Sequence, residues 1–195
     1  MPEIIEQSTV EEVAAIVSDA LENAGITATL SGGGAVTIYS NNAYLSRDLD
    51  FVTSVMVADL EPVLKTLGFE NTRVPRLSQF SHPKVKWYVE FPPSPLMFGH
   101  LYVSPADCAV LELPVGRLRI ITPTQSVMDR LAAAYAWKDA QSRDQAIMVA
   151  ANQDIDWEVL KAWFADEGES EQEYRRFADA VRERKRRKGT QRTFR

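Results

Sequence analysis

Residues 30–52, LSGGGAVTIYSNNAYLSRDLDFV, constrain this chain more than any other stretch of it. Three consecutive glycines, Gly32, Gly33 and Gly34, follow the β-rich run 26–30. Without Cβ atoms they let the backbone approach a ligand closely and aim N–H groups at an anion such as phosphate. They also suit an ordinary tight turn. Their spacing is neither the dinucleotide fingerprint nor a Walker loop, since no Gly-Lys-Ser/Thr follows. The acids downstream add the chemistry. Fourteen residues separate Gly33 from Asp48, and Asp48-Leu49-Asp50 opens into a strand-like run that reaches residue 55. Alternation puts both carboxylates on one sheet face and turns Leu49 and Phe51 into the core. Strands are depleted in Asp, and two acids on one face repel unless a cation lies between them. A divalent metal bridging to a triphosphate supplies that charge, and oxygen donors of this kind suit Mg²⁺. The plain alternative is an exposed strand edge carrying two ordinary carboxylates.

Around this segment the pattern is that of an α+β protein. Ser8 or Thr9 opens a helix that ends at Ala24-Gly25. A short helical or extended segment 35–39 follows the glycines, and 57–67 reads as an amphipathic helix stopped by Gly68. A loop with Pro75 leads to a strand over 85–91, in which Val85, Trp87, Val89 and Phe91 share one face. Further strands are expected at 101–103, 109–113 and 118–121. From Thr122-Pro123 onward the pattern is helical to residue 188. The expected architecture is a mixed sheet core over 1–121, a helical C-terminal subdomain over 122–181 and a basic tail over 182–195.

Charge is distributed unevenly. The chain has 22 Lys and Arg against 27 Asp and Glu, for a net charge of -5, which alone argues against broad nucleic-acid affinity. Residues 182–195, however, hold eight Lys and Arg against the single Glu183. The acidic body suits a carboxylate cleft, while the basic end suits sequence-independent contacts with RNA or another polyanion. One cysteine, Cys108, excludes an internal disulfide and a Cys-cluster zinc site; it reads as a core residue rather than a nucleophile. The two histidines, His82 and His100, lack metal-ligand spacing. The N-terminal 25 residues have no basic n-region, and no apolar run approaches the roughly 20 residues of a membrane span. A cytoplasmic protein without a membrane partner is expected.

Gly32-Gly33-Gly34-Ala35 followed by Ser46-Arg47-Asp48-Leu49-Asp50-Phe51 resembles the signature of the polymerase-β-type nucleotidyltransferase superfamily: a glycine turn, then a strand with alternating acids. Within it the chain is similar to small prokaryotic nucleotidyltransferases of the AbiEii toxin type. A related group shares the phrases VEFPPSPL and DRLAAAYAWKDAQSRDQA, so the likeness covers about residues 25–165. The resemblance implies a mixed-sheet nucleotidyltransferase-like core with a C-terminal helical layer. It implies that Gly33 and Gly34, with Gly32, hold nucleotide phosphates and that Asp48 and Asp50 ligate Mg²⁺. A third catalytic and metal-binding carboxylate is expected on a neighbouring strand, with Glu90 as candidate and Glu112 as runner-up. Where the toxin families carry a Lys on the first C-terminal helix, this sequence reads Met128-Asp129-Arg130, leaving Arg130 as the matching cation. Lys138, Arg143 and Asp144 follow in the family's order and equally suit solvent-facing helix charges. Arg47 either contacts phosphate or pairs with an acid at the surface.

The activity so implied is Mg²⁺-dependent transfer of a nucleoside monophosphate from a nucleoside triphosphate to RNA, including tRNA, or to a protein. The setting implied is a toxin–antitoxin or phage-defence system with an antitoxin partner. The alternatives are a catalytically degenerate nucleotide-binding protein of the same fold and an interaction module whose basic end meets an acidic partner. The segment 91–96, FPPSPL, reads as a rigid turn, and Trp137, Trp157 and Trp163 read as helix packing.

Overall fold

The computed structural model describes residues 2–72 and 79–193, with side chains described through residue 189. The elements run α1 (Val10–Asn23), β1 (Thr29–Ser31), α2 (Gly32–Tyr39), β2 (Asp48–Val52), α3 (Val57–Thr66), β3 (Glu70–Asn71) and β4 (Gln79–Ser81). There follow β5 (Tyr88–Glu90), β6 (Met97–Phe98), β7 (Leu101–Tyr102), a 3₁₀ turn (Pro105–Asp107), β8 (Ala109–Leu113) and β9 (Gly116–Ile120). Four helices close the chain: α4 (Pro123–Trp137), α5 (Ala140–Asn152), α6 (Trp157–Asp166) and α7 (Glu171–Thr193).

Seven strands form one mixed sheet in the order β3-β4-β5-β2-β1-β9-β8. β2 pairs antiparallel with β1 and parallel with β5, so the acid-bearing strand is central. Its alternation is realised: Leu49 and Phe51 are buried while Asp48 and Asp50 are partly exposed. α1 lies along β9, α2 lies on β2, and α4 and α5 pack against α2. This is the expected α+β architecture, a mixed sheet with a C-terminal helical layer.

Local chemistry sets the helix starts. At α1 the cap is Thr9 rather than Ser8: its Oγ1 accepts from Glu12 N at 3.2 Å, and Glu12 Oε2 accepts from Thr9 N at 2.8 Å. Thr122 and Gln125 make the same reciprocal cap at α4, with Pro123 where no N–H partner is required. Tyr39 at the end of α2 donates to Ile121 O at 2.7 Å, and Gln153 Nε2 donates to Tyr39 O at 2.8 Å, tying α2 to the sheet and to α5.

Several expectations are corrected. The first strand is displaced to Thr29–Ser31, and the segment after the glycines is helical from Gly32 itself. β2 starts at Asp48 and stops at Val52, short of residue 55, and only Tyr88–Glu90 of the run 85–91 is paired. β4 and β6 were not anticipated, being too short for any periodicity to show. Arg73 and Pro75 lie outside the described residues. Trp137 does not pack: it is 82% exposed, unlike buried Trp163. The basic run is helical, as its pattern to residue 188 suggests, and α7 carries it on to Thr193. No helix among the described residues is long and apolar enough to cross a membrane.

Candidate active site

β1 delivers Ser31 directly into α2, and the change from strand to helix is made at Gly32 with φ of +61°. A Cβ there would collide with Asp50 Oδ2, so a side chain at this position requires that carboxylate to move. A Cβ on Gly33 would lie 2.7 Å from Ser46 Oγ, and one on Gly34 would press Leu49 and Leu30 at 3.1 and 3.2 Å. The glycines thus let the start of α2 lie directly on β2. Ser31 makes no side-chain cap and instead donates from Oγ to Asp50 O at 3.4 Å, leaving the first turn of α2, which meets the cleft at Gly32, without a side-chain cap. Thr37 Oγ1 accepts from Ser46 N at 2.9 Å and donates to Gly33 O at 3.0 Å, which holds the loop before β2 beneath the helix.

Pairing of β2 with β5 sets Asp50 opposite Glu90 and Asp48 opposite Tyr88. Glu90 is therefore the neighbouring-strand carboxylate. Glu112 is not: it is exposed on the edge strand β8, opposite Arg117, with β1 and β9 between it and β2. Burial first, then the Glu90 and Asp48 carboxylates, push the Asp50 pKa up to about 7, with Arg130 partly opposing them. Burial also raises the Glu90 pKa, the hydrogen bond donated by Gln79 Nε2 lowers it, and Asp48 raises it further.

Asp50 lines an open cleft of about 300 Å³. Ser31 and Gly32 form one side with it. Val52, Pro92, Pro93, Pro95, Leu96 and Met97 form an apolar wall, and Asp129 and Arg130 reach in from α4. Arg130 donates from Nε and Nη2 to Asp129 Oδ2 at 3.0 and 2.8 Å. Of the expected phosphate ligands, Gly32 and Arg130 meet at this cleft. Arg47 is exposed just before β2, and Lys138 is exposed in a left-handed conformation at the end of α4; neither lines it. Sequence reasoning missed Gln79, Asp129 and the proline wall. The phrase FPPSPL supplies most of that wall, whereas its prolines read in sequence as a rigid turn in preference to a peptide-docking site. Gln79 sits on a three-residue strand that leaves no periodic trace.

Among the described residues, no three His, Cys, Asp or Glu side chains are gathered closely enough to form a ready ion cage. The donor set nevertheless fits Mg²⁺ bound together with a nucleotide. Such an ion takes one or two carboxylates, fills its shell with substrate phosphates and water, and needs no all-protein cage. Asp50 meets the requirement: its carboxylate is largely withdrawn from solvent, lies near three other acids, Glu90, Asp48 and Asp129, and has no hydrogen-bond donor among the described residues.

Known structures share this arrangement of strands and helices. The crystal structure of an antigenic nucleotidyltransferase-like protein from Paracoccidioides brasiliensis superposes with a TM-score of 0.57 at 15% identity, covering 91% of this chain and 94% of that one. The chain has a nucleotidyltransferase fold. ANT(2'')-Ia in complex with adenylyl-2''-tobramycin gives a TM-score of 0.52 at 13% identity, over 80% of this chain and 95% of its own. The solution structure of that antibiotic-resistance factor gives 0.51 at 12%, over 80% and 89%. No family model matches the sequence, and no curated protein matches it. In this nucleotidyltransferase fold, the glycine turn and the central acid-bearing strand come together at the start of α2.

Proposed function

We propose that this protein is a Mg²⁺-dependent nucleotidyltransferase that moves a nucleoside monophosphate from a nucleoside triphosphate to an acceptor hydroxyl or phosphate. The observation that carries the reading is Asp50, unpartnered, with Glu90 beside it and the side-chain-free Gly32 against it. Mg²⁺, when bound, supplies the positive charge that neutralises the triphosphate and the oxygens between which the nucleotidyl group moves. Asp48 and Asp50 hold that ion, and Glu90 belongs to the same carboxylate set. The uncapped amides of Gly32, Gly33 and Gly34 donate to phosphate oxygens, as the start of a helix does for an anion. Arg130 adds a guanidinium to the same phosphates, with Arg47 and Lys138 at the periphery. Glu90, whose pKa is raised by burial, accepts the acceptor's proton. The acceptor oxygen then bonds to the α-phosphorus as the bond to pyrophosphate breaks in line.

RNA, including tRNA, or a protein is the acceptor class, in the cytoplasm, as the modifying component of a toxin–antitoxin or phage-defence pair with a protein antitoxin. Support for RNA comes from the exposed cations Lys185 and Arg186 on the outer part of α7. A small polyhydroxylated acceptor is the second reading, favoured by the tobramycin adduct that a neighbour of the same fold holds.

Incubation with labelled nucleoside triphosphates, Mg²⁺ and in separate arms total RNA, protein extract or aminoglycosides tests both. Label transfer that Asp48→Ala abolishes supports the reading and identifies the acceptor. Absence of transfer in every arm, with no nucleotide bound, removes it.

A further inference from the structure

We propose that Asp129 is a positioning residue: it pins one edge of the Arg130 guanidinium and leaves the other edge as a two-donor fork for a phosphate of the substrate. The inference rests on the nucleotidyl-transfer reading and extends it to a residue that reading leaves idle. Asp129 and Arg130 are consecutive on α4, and consecutive helical side chains diverge rather than face each other. Arg130 nevertheless folds back so that Nε and Nη2 both donate to Asp129 Oδ2, at 3.0 and 2.8 Å. The helix alone does not impose this contact. Both side chains are mostly withdrawn from solvent, at 18% and 16% exposure, and both line the cleft that contains Asp50 and Gly32.

A guanidinium carries five N–H donors in a planar fork. The bonds to Asp129 use the edge formed by Nε and one side of Nη2. Nη1 and the outer N–H of Nη2 have no partner among the described residues. These two parallel donors match the spacing of two phosphate oxygens, and so rigid a fork loses little freedom when it binds. The pin has a second effect. With Asp129 taken as its partner, Arg130 does not close onto the Asp50 carboxylate, which stays open for a cation.

Calorimetric titration of the full chain with ATP, and separately with inorganic tripolyphosphate, each with Mg²⁺, tests the assignment. Asp129→Ala is expected to weaken both probes by about tenfold or more, the loss of one charge-assisted bond's worth of orientation. Asp129→Asn, which retains one acceptor oxygen, should fall between Asp129→Ala and the wild type. Arg130→Lys, with no fork, should bind as poorly as Arg130→Ala. In the double variant Asp129→Ala/Arg130→Ala, affinity should match that of Arg130→Ala alone, because a positioning residue has nothing left to position. Wild-type affinity in both Asp129 variants overturns the inference while leaving nucleotidyl transfer intact. A wild-type protein that binds neither probe and transfers no nucleotide overturns both. Should Asp129→Ala fail to fold, the near-isosteric Asp129→Asn decides.

Discussion

Asp50 and Glu90 stand directly opposite each other on the parallel strands β2 and β5, and neither carboxylate makes an ion pair among the described residues. Burial and this neighbour raise the Asp50 pKa from 3.8 to about 7. The folded state therefore holds a proton that the unfolded chain gives up near pH 4. The protonated form carries no penalty at low pH, and stability is lost as pH rises between the two values. Above pH 7 the loss approaches about 4 kcal/mol as an upper bound, from roughly three units at 1.36 kcal/mol each. Melting of the metal-free protein should move to lower temperature between pH 5 and pH 8. Asp50→Asn should abolish most of that decline, and Mg²⁺ with ATP should restore the wild type at pH 8. A flat wild-type profile counts against the arrangement.

Gly32→Ala should cost both stability and activity. The new methyl collides with Asp50 Oδ2 in a left-handed backbone conformation. A destabilisation of about 2–3 kcal/mol is expected, combining backbone strain with displacement of the carboxylate. Gly25→Ala is the control. Its φ of +77° is equally unfavourable, but no atom lies within 4 Å of the added carbon. Denaturant titration should show only the backbone cost of about 1 kcal/mol there, with nucleotide transfer unaffected.

Gln79→Ala should shift the pH dependence of transfer without abolishing it. The Gln79 amide donates to Glu90 Oε1 and lowers its pKa, so its loss raises that pKa further. A step that needs ionised Glu90 then slows on the acidic side, and the acidic limb of the kcat/KM profile moves to higher pH. Activity should recover toward wild type near pH 8. Equal loss at all pH values points to a structural role for Gln79.

Trp137 and Trp163 should differ sharply in their contribution to stability. Trp137 is 82% exposed, and its replacement by Ala should change stability by less than about 0.5 kcal/mol. Trp163 is 3% exposed. Its Nε1 donates to Phe98 O at 3.1 Å, joining α6 to β6, which leads from the apolar wall of the cleft. Trp163→Ala should cost about 3–5 kcal/mol in chemical denaturation.

The outer part of α7 makes the RNA reading measurable. Several of its cations are already neutralised within the protein: Arg184 pairs with Asp144 at 2.8 Å, Arg182 with Asp179 at 3.2 Å, and Arg187 with Glu183. Lys185 is exposed without an ion pair among the described residues. Lys185→Ala should lower the slope of log affinity against log salt by about 0.7–0.9 for RNA, and Arg184→Ala should lower it less. ATP affinity should be unchanged in both. Identical salt slopes for Lys185→Ala and the wild type exclude this position from the RNA contact.

Much of the local organisation is legible in the chain alone. The alternation in Asp48-Leu49-Asp50-Phe51 assigns the acids and the core residues to opposite faces of β2, because the side-chain period of a strand is two. The Thr122-Pro123 cap marks where α4 begins and the Ser8-Thr9 pair brackets the start of α1, since those signals act over three or four residues, whereas the glycines read as a turn and proved to be the first turn of α2. Short strands such as β4 and β6 leave no such periodic mark, so Gln79 and the hairpin beside the proline wall were not legible.

What the sequence determined by itself was that Asp48 and Asp50 share one face of β2 opposite Leu49 and Phe51, because that depends only on neighbours in the chain. The tertiary structure decided which distant residues meet those carboxylates. It placed Glu90 beside Asp50 and Glu112 at the far edge, since the order of strands in a sheet is a non-local choice that neither strand encodes alone. It also folded Arg130 onto Asp129 at the cleft, against the divergence of consecutive helical side chains, and left Trp137 in solvent despite its apolar surface. Those outcomes follow from how whole elements pack, which determines what each helix face meets.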